Sequence, residues 1–197
     1  MITIVIPTLS PNKAYATGQV AQESAGIYTR LYIVHDTKGL GFTRTVNRGL
    51  RKIQKGHICL LNDDVFPMTD DWLRKMCDAI ADTPELGLAG PSGPCRTPPQ
   101  NTGLPGDPYG IKQVSHLAFF CTLIKRNVID AIGLLDEDFI HYGSDVDYSW
   151  RARKAGIIPS WVRHVYVDHG VGEFLEPWHT QDAAMLKRKL KAGSYAA

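Results

Sequence analysis

Only four cysteines occur in 197 residues, and Cys59, Cys77, Cys95 and Cys121 form no Cys-x-x-Cys pair, which excludes a zinc ribbon and a thioredoxin-like redox motif. Cys59 and Cys121 lie inside apolar runs, and Cys77 shares a helical face with Leu73, Met76 and Ile80, so the thiols are expected to pack in a core, reduced, as in a cytoplasmic protein. Long hydrophobic runs are absent as well. The longest, residues 117–124, falls far short of the roughly 20 needed to cross a bilayer, and Met1 leads into a strand-like run instead of a basic leader, so neither membrane spanning nor export is expected. No sign of charge dominates: 22 Lys and Arg against 20 Asp and Glu leave +2, too little to mark a nucleic-acid surface. Internal repeats are missing too. At 44% apolar and 21% charged, the composition excludes disordered, collagen-like and coiled-coil chains. The length predicts one domain with a buried core, with room for a tail.

What is present alternates. Short β-branched or aliphatic runs at 2–6, 31–34, 58–61 and 86–89 are bounded by turn residues and read as buried strands. Between them, Val46, Leu50 and Ile53 recur at helical spacing up to Gly56, and Trp72, Leu73, Met76 and Ile80 follow the candidate caps Thr69 and Asp70. This order predicts an α/β domain with a mostly parallel sheet flanked by helices, and a ligand site at the carboxyl ends of its strands. Residues 91–113 hold half of the 12 prolines and four glycines, a composition that predicts a long loop without regular structure, either bordering a substrate site or disordered. A strand at 116–124, a short helix at 126–132, a helix at 144–155 capped by Ser144, and a strand at 161–167 follow.

Three groups of side chains can carry chemistry. Asn62, Asp63 and Asp64 follow the 58–61 strand, where oxygen ligands for a hard divalent cation are well placed; a turn or cap explains the same residues. Asp145 and Asp147 open the 144–155 helix just after Gly143, which permits a tight turn beside a site, although helix capping is an equal account. His169 follows a strand and precedes Gly170 and Gly172, as a structural histidine or a metal ligand.

Four segments, ITIVIPTLS at the start, GLGFTRTVNRGL from Gly39, CLLNDDVFPMTDDWL from Cys59 and GLLDEDFIHYGSDVDYSWRARKAG from Gly133, resemble in this order the family-two, GT-A-type inverting glycosyltransferases. The last segment is most similar to rhamnosyltransferase-type members. The resemblance implies a Rossmann-like domain over residues 1–175, with a nucleotide-binding half at 1–90, an acceptor and catalytic half at 91–175, and a helix or tail at 176–197. It implies transfer of a hexose from a nucleoside-diphosphate donor to a glycan, lipid-linked or other hydroxyl acceptor, with Mg2+ or Mn2+ as cofactor and no nucleic-acid partner. Asn62, Asp63 and Asp64 look like the family's Asp-x-Asp motif with Asn in first place, so Asp64 is the implied metal ligand, with Asn62 and Asp63 at the nucleotide sugar. Pro7 and Thr8 match the strand end that lines the base pocket, Arg44 lies in the stretch that meets the nucleotide, Asp145 matches the catalytic base, and His169 matches a late histidine at the metal or diphosphate.

One departure stands out: about one βα unit is missing before Gly41 and Phe42, so Asp36 is either the base-binding carboxylate or the end of a later strand. A metal-dependent nucleotidyltransferase or phosphohydrolase would use the same carboxylates, and a shortened domain could bind nucleotide or glycan without turnover. Residues 183–191 predict a short basic amphipathic helix, solvated or touching anionic lipid at the inner face of a membrane.

Overall fold

Alternate residues of the first strand face opposite layers, and two cores follow from that. Ile4 and Ile6 join Ala14, Ala21, Trp72, Leu73 and Met76 on one side of the sheet. Val5 joins Val46, Leu50, Val128, Tyr148 and Ala152 on the other. Side chains alternate along an extended chain, so a run buried on both faces must have helices on both. In the computed structural model, residues 1–95, 100, 110–170 and 178–195 are described. The elements are β1 (Ile2–Thr8), α1 (Pro11–Glu23), β2 (Thr29–His35), α2 (Phe42–Lys52), β3 (His57–Leu61), β4 (Val65–Pro67) and α3 (Trp72–Ala81). They continue with β5 (Leu86–Ser92), β6 (Ile111–Gln113), β7 (Cys121–Ile124), α4 (Arg126–Ile132), α5 (Ser144–Lys154), β8 (Ile158–His169) and α6 (Trp178–Lys191).

The sheet runs β2-β1-β3-β7-β5-β8-β4, with β6 also on β8. β2, β1 and β3 are parallel, β7 lies antiparallel between β3 and β5, and β8 is parallel to β5. Strands β1, β2, β3, β5 and β8 thus share one direction, which is the mostly parallel α/β sheet expected. β2 is the edge strand directly beside β1.

Several local expectations are corrected. α1 carries no large apolar stripe; it buries Ala14, Thr17, Gly18 and Ala21, so periodicity did not reveal it. A Cβ on Gly18 would stand 2.6 Å from Leu31, and the missing side chain lets α1 lie close on β2. The strand expected at 116–124 shortens to β7, because residues 117–120 bond elsewhere: Leu117 N donates to Ser149 Oγ at 3.2 Å, and Phe120 O accepts from Asn62 N at 2.8 Å. Ser144 is not the cap of α5, whose N-cap is Gly143 at φ 75, and α3 begins after left-handed Asp71 instead of a Thr69 or Asp70 cap. Residues 91–113 are not all irregular: Pro91 and Ser92 complete β5 and Ile111–Gln113 forms β6 on β8. Residues 96–99 and 101–109 of that segment lie outside the described residues, as does Gly172. The tail helix begins at Trp178, five residues before the expected start.

Candidate active site

Parallel pairing of β1 with β3 sets their carboxyl ends side by side. Thr8 Oγ1 donates to Asp63 Oδ2 at 2.5 Å, Lys13 Nζ reaches Asp63 Oδ1 at 3.1 Å, and Thr17 Oγ1 donates to the Asp63 carbonyl at 2.8 Å. Asp63 therefore joins β1, α1 and the turn after β3. Asn62 is held by its backbone, with its N–H on Phe120 O and its carbonyl accepting from Val65 N at 3.3 Å.

Asp64 has a different neighbour. β4 pairs antiparallel with β8 with Val65 opposite His169, so Asp64 comes to lie beside His169 and Gly170. His169 Nε2 is 3.5 Å from Asp64 Oδ1. The other ring nitrogen, Nδ1, lies 3.0 Å from the Pro94 carbonyl oxygen. A carbonyl only accepts, so Nδ1 carries the hydrogen and Nε2 is the ring atom that faces Asp64. The Phe120 ring stacks on this imidazole at 5.0 Å and 16° and fixes its plane. A carboxylate, 35% exposed, beside an oriented imidazole nitrogen is a pair of donors of the kind that would suit a divalent ion. Among the described residues no group of three or more His, Cys, Asp or Glu side chains gathers around a possible ion.

Asp145 lies beside His116 and Phe119 of the 116–120 segment. Its Oδ1 accepts the Val146 N–H at 2.8 Å. Burial pushes its carboxyl above the ordinary aspartate range, more than the Val146 and Phe119 amides and the nearby His116 pull it down. Asp147 points elsewhere: it is fully buried and accepts from Arg151 Nε at 2.8 Å, Lys189 Nζ at 3.0 Å and Tyr195 OH at 2.6 Å.

The 116–120 segment thus touches both groups of residues. It contacts Asn62 and His169 through Phe120, and Asp145 through Phe119. Gln100, fully buried, fixes it: Oε1 accepts Ala118 N at 2.8 Å and Nε2 donates to Pro91 O at 2.9 Å.

The remaining expected residues lie nearer the β2 edge. Pro7 sits half-buried opposite Val34 on β2. Asp36 Oδ1 accepts Lys38 N at 3.3 Å and Oδ2 accepts Gly41 N at 3.0 Å. Burial raises its carboxyl, but the amides of Leu40, Gly41 and Lys38 outweigh this and hold it below the usual range. Arg44 is exposed, with Nη2 3.5 Å from Glu137 O. The geometry therefore brings Thr8 to Asp63 and Asp64 to His169, while Asp36 organises the turn before α2. Sequence reading missed Lys13, Gln100, Phe120 and Asp182; Lys13 could be found only once α1 is placed, and Gln100 carries no local signal.

The family model for glycosyl transferase family 2 matches residues 12–133, well over half of the chain, and stops short of Asp145 and His169. A curated relative, the uncharacterized protein y4gI of Sinorhizobium fredii, is 26% identical over 156 residues, 67% of this chain and 17% of that one. The low-salt glycan biosynthesis hexosyltransferase Agl10 of Haloferax volcanii is 35% identical over 54 residues, 27% of this chain and 18% of that one. The chain spans less than a fifth of the length of these curated relatives. Among solved structures, GalNAc-T7 with UDP, GalNAc and Mn2+ superposes at TM-score 0.69 and 12% identity, covering 95% of this chain and 47% of that one. The mannosyltransferase PcManGT of Pyrobaculum calidifontis with GDP-Man and Mn2+ gives 0.67 at 14% identity, covering 95% and 64%. The chain belongs to glycosyl transferase family 2 and has the GT-A fold.

Proposed function

We propose that this chain is a divalent-ion-dependent, inverting glycosyltransferase that moves a hexose from a nucleoside-diphosphate donor to an acceptor hydroxyl, in the rhamnosyltransferase-like part of the family. The observation that carries this reading is that one segment, residues 116–120, meets both the Asp64–His169 pair, through Phe120, and the burial-raised Asp145, through Phe119. The UDP- and GDP-Man-bound neighbours, both with Mn2+, and the hexosyltransferase Agl10 agree with it. Residues 1–90 form the donor half: Pro7, Thr8, Asn62 and Asp63 border the nucleotide sugar, Asp36 shapes the turn beside it, and Arg44 is exposed for the diphosphate. Residues 91–175 form the acceptor half, and 176–197 the tail.

Asp64 and His169 would hold Mg2+ or Mn2+, which when bound supplies Lewis-acid stabilisation of the leaving diphosphate. Asp145 takes the acceptor hydroxyl's proton as its oxygen attacks the anomeric carbon, and the bond to the diphosphate oxygen breaks on the opposite face, which inverts configuration. A general base contributes about 100- to 10,000-fold, and a carboxylate of raised pKa is a stronger base than an ordinary one. α6 exposes Lys187, Arg188, Lys191 and Leu190, and peripheral contact with a lipid-linked acceptor at the cytoplasmic face of a membrane is part of the same proposal; no described helix is long and apolar enough to cross one.

A screen of nucleotide sugars with Mg2+ or Mn2+ and candidate acceptors tests the reading. Release of intact nucleoside diphosphate with a glycosylated acceptor is the expected result. Pyrophosphate or sugar phosphate as product assigns phosphoryl chemistry instead, and binding without product makes the domain a non-catalytic binder.

A further inference from the structure

The tail helix has a role that its basic composition does not suggest. Asp182, in the second turn of α6, is 0% exposed, yet its carboxylate is fully occupied. Oδ1 accepts the backbone N–H of Ile140 at 2.9 Å, and Oδ2 accepts those of His141 at 2.8 Å and Tyr142 at 2.9 Å. Three consecutive amides converging on one carboxylate define a single backbone conformation, and the charged acceptor makes each bond stronger than a neutral one. The next residue is Gly143, left-handed at φ 75, and two residues on comes Asp145. Residues 140–142 thus lead directly into the helix turn that carries Asp145.

The grip is reinforced on both flanks. The Ile140 carbonyl accepts Thr43 N at 3.1 Å, which ties the same turn to α2. Further along α6, Lys189 bonds both Asp136 and Asp147, and Tyr195 donates to Asp147 at 2.6 Å. Among the described contacts, those of the donor-side residues Thr8 and Asp64 go to Ser10, Asp36, Asp63, His169 and Gly170 and not to α6.

We propose that Asp182 is a positioning residue for transfer: by fixing residues 140–142 it sets how Asp145 enters the site, which makes α6 a working part of the enzyme. This rests on the reading of Asp145 as the base. Asn at 182 offers one acceptor oxygen and presents an NH2 to at least one of the three amides, so the turn must open. Displacing a catalytic group by about 1 Å can cost on the order of 100-fold.

The test compares Asp182→Asn, Tyr195→Phe and Asp145→Asn. Turnover is measured with donor and acceptor and corrected for the folded fraction, nucleoside-diphosphate affinity is measured by calorimetry with Mn2+, and hydrogen exchange is followed at residues 140–145. Asp182→Asn is expected to lower kcat about 10- to 100-fold, with donor KM and diphosphate affinity within about twofold and faster exchange confined to 140–145. Tyr195→Phe loosens α6 without touching Asp182, and its losses in protection and kcat should keep the same proportion if Asp182→Asn does not fold. A kcat loss fully explained by the folded fraction, a fall in donor affinity equal to the rate loss, or faster exchange with unchanged kcat overturns the inference. If Asp145→Asn is inactive while Asp182→Asn is fully active, the positioning role alone fails; if Asp145→Asn retains transfer, the base assignment falls and this role with it.

Discussion

Neutralising Asp145 and Asp147 separately should give opposite phenotypes. Two residues apart on a helix, their side chains diverge by about 200°; Asp145 lies toward residues 116–119, and Asp147 faces α6. Asp147 is 0% exposed, between Arg151 and Lys189 at 25% and 21%. Removing one member of a buried ion pair costs about 3–5 kcal/mol. Here the lower end applies, because Arg151 keeps bonds to Ile132 O at 2.8 Å and Leu134 O at 3.0 Å, and Lys189 keeps Asp136. Asp147→Ala should therefore lower Tm by about 6–12 °C at roughly 2–4 °C per kcal/mol for a chain of this size, and Asp147→Asn, which retains an acceptor oxygen, by about half of that. Turnover per folded molecule should fall far less than in Asp145→Asn, and only as far as protection at residues 140–145 falls with the loosened α6.

Asp145→Asn should do the reverse. With the folded carboxyl raised above its unfolded value, the associated stability is complete below the unfolded pKa and lost as pH rises through the folded one. At neutral pH the ionised, half-buried carboxylate is a cost that Asn removes, so Tm should hold or rise while turnover falls about 100- to 10,000-fold. Thermal unfolding at pH 7 and steady-state transfer with a true acceptor measure both. An Asp147→Asn protein that loses transfer at unchanged Tm, together with a near-normal Asp145→Asn enzyme, would refute the assignment and exchange the two roles.

Three further perturbations separate the parts of the site. Asp64→Ala and His169→Ala should each abolish the Mn2+-dependent gain in nucleoside-diphosphate affinity seen by calorimetry; equal wild-type affinity with and without chelator would speak against an ion there. Gly41→Ala should lower the unfolding free energy from denaturant titration by about 2–4 kcal/mol, since its φ is +87 and a Cβ would stand 2.6 Å from Ile140 Cγ2 and 2.8 Å from Ile140 O; an unchanged stability counts against that contact. Gln100→Ala, which leaves the Ala118 N–H without its acceptor, should cost about 1–3 kcal/mol and speed hydrogen exchange at Ala118; normal protection there would remove Gln100 from the site's support.

The frame was legible because its signals are local. β1, β3 and β5 announce themselves as short runs buried on both faces, β2 as a half-buried aliphatic run at the edge, and α3 shows Trp72, Leu73, Met76 and Ile80 on one stripe. Where burial uses small residues, the signal disappears, as in α1 with its Ala14, Thr17, Gly18 and Ala21. Residues 116–120 read as strand because Leu117, Ala118, Phe119 and Phe120 are apolar, yet their amides are claimed by Ser149 and Gln100, residues distant in sequence. Asp64, Asp145 and His169 could be named from motif order, but not the reason Asp147 differs from Asp145: its partners Lys189, on α6, and Tyr195, in the turn after it, are more than 40 residues away. Asp182 was invisible for the same reason, since a lone acid ahead of a basic stretch looks like a solvated charge.

How His169 reaches Asp64 shows what no motif encodes. After a first irregularity between Leu86 and Leu88, β8 keeps regular parallel register with β5, with Gly90 opposite Trp161 and Pro91 opposite Val162, but Ser92 pairs with Tyr166. Three extra residues, 163–165, are taken up at this irregularity, and a bulge of this kind bends and re-aims a strand. Ser92 secures it on both sides, accepting Trp161 Nε1 at 2.9 Å and donating to Arg163 O at 3.1 Å. Beyond the shift, Val167, Asp168 and His169 pair with Pro67, Phe66 and Val65. Because strand side chains alternate faces, a one-residue change within 163–165 would present Asp168 or Gly170 where His169 now stands. The Asp64–His169 pair therefore depends on the bulge, and the bulge on a buried serine hydroxyl that bonds to both sides of it.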